Sequence, residues 1–216
     1  MAAQRTARQS KVAAAVGIVL IAAVVGLSGC TSSGTTSSSR PSVSASGSAP
    51  APTPRSTEVS PAGDIPDNQA FVTFTSPDGT FSLAVPEGWA RSVSGDTTTF
   101  ADKLNVITIV PQASPAAPTV SSVTNGEVTS LGASEAKFSL TDVKTFSRSG
   151  GSGVLINFQS DSAVNQVTGS VVRNEVEQYL FWKGGRQVTV TLTSPKGSDN
   201  VDPWAKVTGS FVWLTK

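Results

Sequence analysis

Histidine is absent from this sequence of 216 residues, and cysteine occurs once, at position 30. Without histidine the chain lacks the commonest general base near neutral pH and the commonest side chain that binds metal ions. With a single cysteine it forms no disulfide within the chain, so the stability of the fold has to come from a hydrophobic core. We therefore predict a domain that is not an enzyme and that needs no cofactor and no metal ion.

A large excess of charge of either sign is also absent, because the chain has 16 basic and 15 acidic side chains. Three of the basic residues, Arg5, Arg8 and Lys11, stand near the first residue, and the rest of the chain has 13 basic against 15 acidic side chains. Nucleic-acid binding requires a basic surface that neutralises phosphates. Nucleic acid is therefore not an expected partner.

A positive segment and a short apolar run occupy the first thirty residues. The run from Val12 to Gly26 has the length of a secretory signal peptide rather than that of a comfortable membrane span. It ends in Leu27-Ser28-Gly29-Cys30, which resembles the lipobox of bacterial lipoproteins. The resemblance implies cleavage before Cys30, diacylglycerol on its sulfur and stable anchoring by two or more acyl chains. The alternative is an uncleaved helix that leaves Cys30 unmodified.

After a signal peptide over residues 1–29, residues 30–67 are predicted to be a lipidated cysteine followed by a disordered linker. From Thr31 to Ser60 nearly every residue is serine, threonine, alanine, glycine or proline. Such a segment buries too little apolar area to offset the entropy of ordering its backbone. We expect one folded domain over residues 68–216, displayed from the outer face of the cytoplasmic membrane or further out in the envelope.

The predicted domain has the period of β-strands over most of its length. The runs Phe71 to Thr75 and Phe81 to Val85 flank an Asp-Gly turn, which predicts a hairpin. A second hairpin is predicted where Val171 to Trp182 meets Val188 to Leu192 across Gly184-Gly185. In its second strand, valine and leucine alternate with threonine, so that one face of the strand is expected to be buried.

Two segments have helical spacing instead. The first contains Val120, Val123, Val128 and Leu131. The second begins near Asn200 and is expected to turn the following residues inward: Val201, Trp204, Val207 or Thr208, and Phe211. Many antiparallel strands with two helical segments predict an α+β fold, in which helices pack on an antiparallel β-sheet.

The two ends of the predicted domain resemble those of PsbP-like domains. A hairpin with Asp78-Gly79 leads into Pro86-Glu87-Gly88-Trp89, and Ser210-Phe211 follows a terminal helix. With the lipobox and the linker, the chain is similar to the LpqN-type lipoproteins of mycobacteria and related actinobacteria. The resemblance implies an α/β/α sandwich in the cell envelope. The motifs that carry it are structural, so the photosynthetic role of other PsbP-like proteins is not implied.

One predicted hairpin tip combines aromatic and basic side chains. Tyr179, Phe181 and Trp182 lie just before Lys183 and Arg186. Phe181 and Trp182 point to opposite faces of a strand, so one of them faces away from the core unless another element covers it. These five residues are the candidate binding patch, and the alternative is that the aromatic side chains pack beneath a neighbouring element.

The function predicted from these observations is that of a non-enzymatic binding or scaffold domain. It is expected to be a monomer that is held at a membrane through the lipid on Cys30 and that engages an unknown envelope protein or ligand. The alternative is a carrier of a lipid or small molecule in a cleft between sheet and helix. In that case Tyr179, Phe181 and Trp182 would lie at the mouth of the cleft.

Overall fold

The structure is a computed structural model that describes residues 63–214. The predicted signal peptide, the lipobox with Cys30 and the predicted linker up to residue 62 lie outside the described residues. Among the residues that are described, no helix is long and apolar enough to cross a membrane.

Two antiparallel sheets and three short helices make up the described part of the chain. The strands are β1 (Phe71–Thr75), β2 (Phe81–Pro86), β3 (Ala90–Ser94), β4 (Thr97–Asp102), β5 (Asn105–Ala113), β6 (Ser139–Arg148), β7 (Gly151–Asp161), β8 (Arg173–Lys183), β9 (Arg186–Pro195) and β10 (Val212–Trp213). The helices are α1 (Val120–Asn125), α2 (Glu127–Ser134) and α3 (Val201–Gly209). The small sheet has the order β1-β2-β10, and the large sheet has the order β3-β4-β5-β9-β8-β7-β6.

The predicted α+β class with antiparallel strands and few helices is confirmed. Both predicted hairpins form, and β8 pairs with β9 from Lys183 opposite Arg186 to Asn174 opposite Pro195. Gly184 and Gly185 make the tight turn between them with φ values of 56° and 87°. Glycine adopts positive φ readily because it has no Cβ atom, whereas other residues rarely do. Along β9, the valine and leucine positions are buried as expected.

The main core lies between the large sheet and a layer formed by the small sheet and α3. At its centre the ring of Phe211 stacks between Phe181 of β8, with ring centroids 4.0 Å apart, and Phe81 of β2, with centroids 5.7 Å apart. Gly150, in the β6–β7 turn, allows this arrangement, because a side chain there would overlap the carbonyl oxygen of Phe211. The stack therefore joins the two sheets.

A second core lies on the other face of the large sheet, beneath α1 and α2. Val123 of α1 packs there with Val154, Ile156 and Leu180 of the sheet. The predicted first helical segment forms two helices, because Gly126 is both the C-cap of α1 and the N-cap of α2. Helices thus cover both faces of the large sheet: α1 and α2 on one face, and α3 together with the small sheet on the other.

One sequence-based expectation is wrong in detail, and two strands were not predicted. Val201 is 72% exposed, so the inward face of α3 consists of Trp204, Val207 and Thr208. The edge strand β3 and the short strand β10 were not expected, because neither has an apolar alternation of its own. A two-residue strand such as β10 is defined by its pairing with β2 and not by its sequence.

The folded region includes residues that were assigned to the linker. The amide of Ile65 donates to the side-chain oxygen of Asn200 at 2.7 Å, and the carbonyl of Gly63 accepts from the amide groups of Asn200 and Asn105, each at 2.9 Å. Ile65 itself is buried in the main core. Gly63 and Ile65 therefore pack with the domain, although the sequence shows little apolar character here.

Replacing Phe211 by alanine is expected to lower the free energy of unfolding by about 3–5 kcal/mol, because it opens a cavity between the two sheets. Urea unfolding of the Cys30→Ser chain, prepared without lipid, measures this loss. Val201→Ala in the exposed face of α3 is the matched control, and its effect should stay within about 0.5 kcal/mol. A Phe211→Ala loss as small as that of the control would contradict the role given to the stack.

Candidate functional site

The five residues of the predicted patch do not share one surface. Tyr179 and Phe181 are 4% and 0% exposed and pack against Phe146 in the main core. Trp182 lies on the opposite face of the large sheet, half-buried, and its indole N–H donates to the carbonyl of Ser114 at 2.9 Å. Tyr179 and Phe181 therefore do not form the predicted patch. The alternative of packing beneath a neighbouring element holds for them, and the ring of Phe211 lies 4.0 Å from that of Phe181.

The two basic residues of that patch remain on the surface beside the β8–β9 turn. Lys183 makes no ion pair with any of the described residues, whereas Arg186 reaches across to the β1–β2 turn. Its guanidinium donates to a carboxylate oxygen of Asp78 at 2.6 Å. This contact links two turns that are 108 residues apart in the chain.

A groove of about 490 Å³ lies next to this ion pair, and we call it the turn-end groove. Its lining residues come from the turn ends of three hairpins and from the last residues of β5: Ser76, Pro77, Asp78, Val93, Gly95, Asp96, Thr98, Pro111, Gln112, Ala113 and Arg186. Apolar walls with a few convergent charged groups are typical of binding sites in proteins. The sequence identified Arg186 as a candidate, but it assigned Asp78 only to a turn.

Asp78 is held in place from three directions. Ser76 donates its hydroxyl to the carboxylate at 2.7 Å, and Thr80 donates its hydroxyl at 2.9 Å and its amide at 3.2 Å. Partial burial alone would raise the pKa of Asp78, but the hydrogen bonds from Ser76, Thr80 and Arg186 outweigh it and lower the pKa from 3.8 to about 2. The groove therefore contains a fixed negative charge at neutral pH.

A second groove of about 430 Å³ lies between α2 and the large sheet. Its lining is mostly polar and includes Thr108, Thr191 and Thr193 from neighbouring strands and Ser160 and Asp161 from the end of β7. We call it the sheet–helix groove. Hydroxyl and carboxylate groups favour polar ligands and disfavour acyl chains, because desolvating them without new hydrogen bonds is costly.

The charged residues of β8 are largely engaged within the protein. Arg173 pairs with Asp161 at 3.1 Å, and Glu177 accepts a hydrogen bond from the hydroxyl of Tyr179 at 2.9 Å. Burial, with the nearby charge of Glu177, raises the pKa of Tyr179 to about 12. Arg173 and Glu177 therefore contribute to the structure of the domain rather than to an open contact surface.

Comparison with protein-family models and with curated proteins gives no match. Among solved structures, the chain is similar to cyanobacterial PsbP from Synechocystis sp. PCC 6803, at 13% identity and a TM-score of 0.49, over 71% of this chain and 99% of that one. It is also similar to the Ran-binding protein Mog1p of Saccharomyces cerevisiae, at 9% identity and a TM-score of 0.46, over 67% of this chain and 95% of that one. A third similar structure is that of LpqN of Mycobacterium tuberculosis, which is involved in cell envelope biogenesis. Its identity is 13% and its TM-score 0.39, over 69% of this chain and 93% of that one. At these identities such similarity concerns the fold alone.

Removing the guanidinium in Arg186→Ala is expected to raise the pKa of Asp78 from about 2 part of the way to 3.8, since Ser76 and Thr80 still donate to it. Because the folded-state pKa is depressed, the ionised carboxylate stabilises the protein above about pH 4. This contribution is lost as the pH falls toward 2. Carbon-13 NMR titration of the carboxyl group measures the change, with Lys183→Ala as the control that leaves it unaltered. Equal pKa values in Arg186→Ala and the unmodified chain would contradict the pairing.

Proposed function

We propose that this chain is a membrane-anchored lipoprotein of the cell envelope whose domain binds a partner at the turn-end groove and catalyses no reaction. The anchor is the lipid on Cys30, which the lipobox Leu27-Ser28-Gly29-Cys30 supports. The partner is an envelope component, and the domain acts on it by binding alone.

The position of the groove within the domain carries this proposal. Gly63 hydrogen-bonds to Asn105, the first residue of β5, whereas Gln112 and Ala113 at the last residues of β5 line the groove. Asn105 and Gln112 are seven residues apart along β5, which corresponds to about 23 Å. A domain held through the residues before Gly63 therefore presents the groove at the end away from its attachment.

The chemistry of the groove favours binding over catalysis. A general base works best with a pKa near the working pH, but the pKa of Asp78 is about 2. The other charged groups of the lining are Arg186, which is paired with Asp78, and Asp96. Within residues 63–214, no three histidine, cysteine, aspartate or glutamate side chains are grouped so as to hold a metal ion.

The structure changes the kind of molecule that the alternative, a carrier, would hold. Tyr179 and Phe181 lie in the core and not at the mouth of a cleft, and the sheet–helix groove is polar. A carried molecule would therefore be a small polar compound rather than a lipid.

Anchoring is tested by replacing Cys30 with serine. The exported Cys30→Ser chain is expected to leave the membrane fraction, whereas the unmodified chain stays there after washing with salt. Ser28→Ala is the matched control, because it keeps a small residue in the lipobox and should remain anchored. If the Cys30→Ser product sediments with membranes as fully as the unmodified chain, the uncleaved-helix alternative holds and the anchoring proposal is wrong.

A further inference from the structure

The two edges of the large sheet are protected to different degrees. At one edge, β6 is interrupted by an irregular register between Leu140 and Asp142 and has an ion pair between Asp142 and Lys144 at 2.9 Å. Bulges and charged side chains are the usual means by which proteins prevent a further strand from pairing with an edge. The β6 edge therefore discourages the addition of a strand.

The opposite edge, β3, has little of this protection. It pairs only with β4 in the described part of the chain, all five of its residues are exposed, and its register with β4 is regular. Its single charged side chain, Arg91, is folded over the ring of Phe74 at 5.0 Å. The other four residues are alanine, serine and valine, and Val93 is 57% exposed.

The turn-end groove adjoins this edge. Val93 and its register partner Thr98 line it, and so does Asp96 in the turn between β3 and β4. The Arg186 charge in the groove is already paired with Asp78, whereas Asp96 makes no ion pair with any of the described residues. The net charge of the lining is therefore negative, which favours a basic group in the bound molecule.

We propose that an extended peptide segment of the partner adds to β3 as a further strand and places a basic side chain in the turn-end groove beside Asp96. This inference rests on the proposed function and names the kind of partner that the groove takes. Only a peptide main chain offers the alternating donors and acceptors that an unpaired edge requires, and side-chain pockets beside the edge give such recognition its specificity. A second copy of the chain fits less well, because five edge residues bury much less than the roughly 1,200 Å² of a stable interface.

Fluorescently labelled peptides test the inference against the Cys30→Ser chain. The probe is a peptide of about nine residues that alternates valine and serine around a central arginine, and its counterpart has glutamate at the centre. Fluorescence anisotropy should show binding of the arginine peptide that weakens about two- to fivefold in Asp96→Asn, the range of one exposed ion pair. Val93→Lys should weaken it about tenfold or more, since it puts a charge on the edge that repels the arginine. Thr145→Lys on β6 adds the same charge to the other edge and should have no effect.

Hydrogen exchange locates the contact. Amides of β3 should gain protection when the arginine peptide is added, while those of β6 should not. Tight binding of the glutamate peptide, or an equal loss in Val93→Lys and Thr145→Lys, overturns the inference. Protection without any peptide of the β3 amides that do not pair with β4 also overturns it. A second copy as the cause would be shown by sedimentation, and residues before Gly63 as the cause would be shown by loss of the protection when they are removed. A peptide that loses affinity in Arg186→Ala but leaves β3 unprotected also overturns strand addition, although it leaves binding at the groove intact.

Discussion

The contact on which the rest of this domain depends is the stack of Phe81, Phe211 and Phe181. Each ring comes from a different place in the chain: the small sheet, the segment after α3 and the large sheet. Because Phe211 is fully buried between the other two, the small sheet has one position relative to the large sheet. That position brings the β1–β2 turn to the β8–β9 turn, where Asp78 meets Arg186 and the turn-end groove forms. The packing of three side chains thus determines where the candidate site lies.

Charge has a local role in this protein. The chain is nearly neutral, and the groove derives its character from single groups whose positions are fixed by short-range hydrogen bonds. Ser76 and Thr80 hold the Asp78 carboxylate in its own turn, so that the charge is in place before a ligand arrives. A preorganised group of this kind loses little entropy on binding. The groove is therefore suited to recognition, and its apolar walls provide most of the contact area.

Local features of the sequence predicted much of the fold, and long-range contacts account for what was missed. The β8–β9 hairpin follows from alternation and from Gly184-Gly185, whereas the break at Gly126 between α1 and α2 was not predicted. The sequence left open whether Tyr179 and Phe181 are exposed or buried, because their burial depends on Phe211 and other residues distant in the chain. For the same reason the sequence showed Arg186 as a basic residue near aromatics, whereas its actual partner, Asp78, is 108 residues away. Pattern reasoning identifies which residues face one way along a strand, but it does not show which element lies above them.

The central claim is that the partner binds at the turn-end groove, and site-specific photo-crosslinking in living cells tests it most directly. A photoreactive amino acid replaces Ala113, which is exposed and lines the groove, or Thr145, which is exposed on β6 at the far edge of the large sheet. The account predicts a discrete adduct with an envelope component from position 113 and none from position 145. Adducts of equal yield at both positions, or an adduct at position 145 alone, would contradict it.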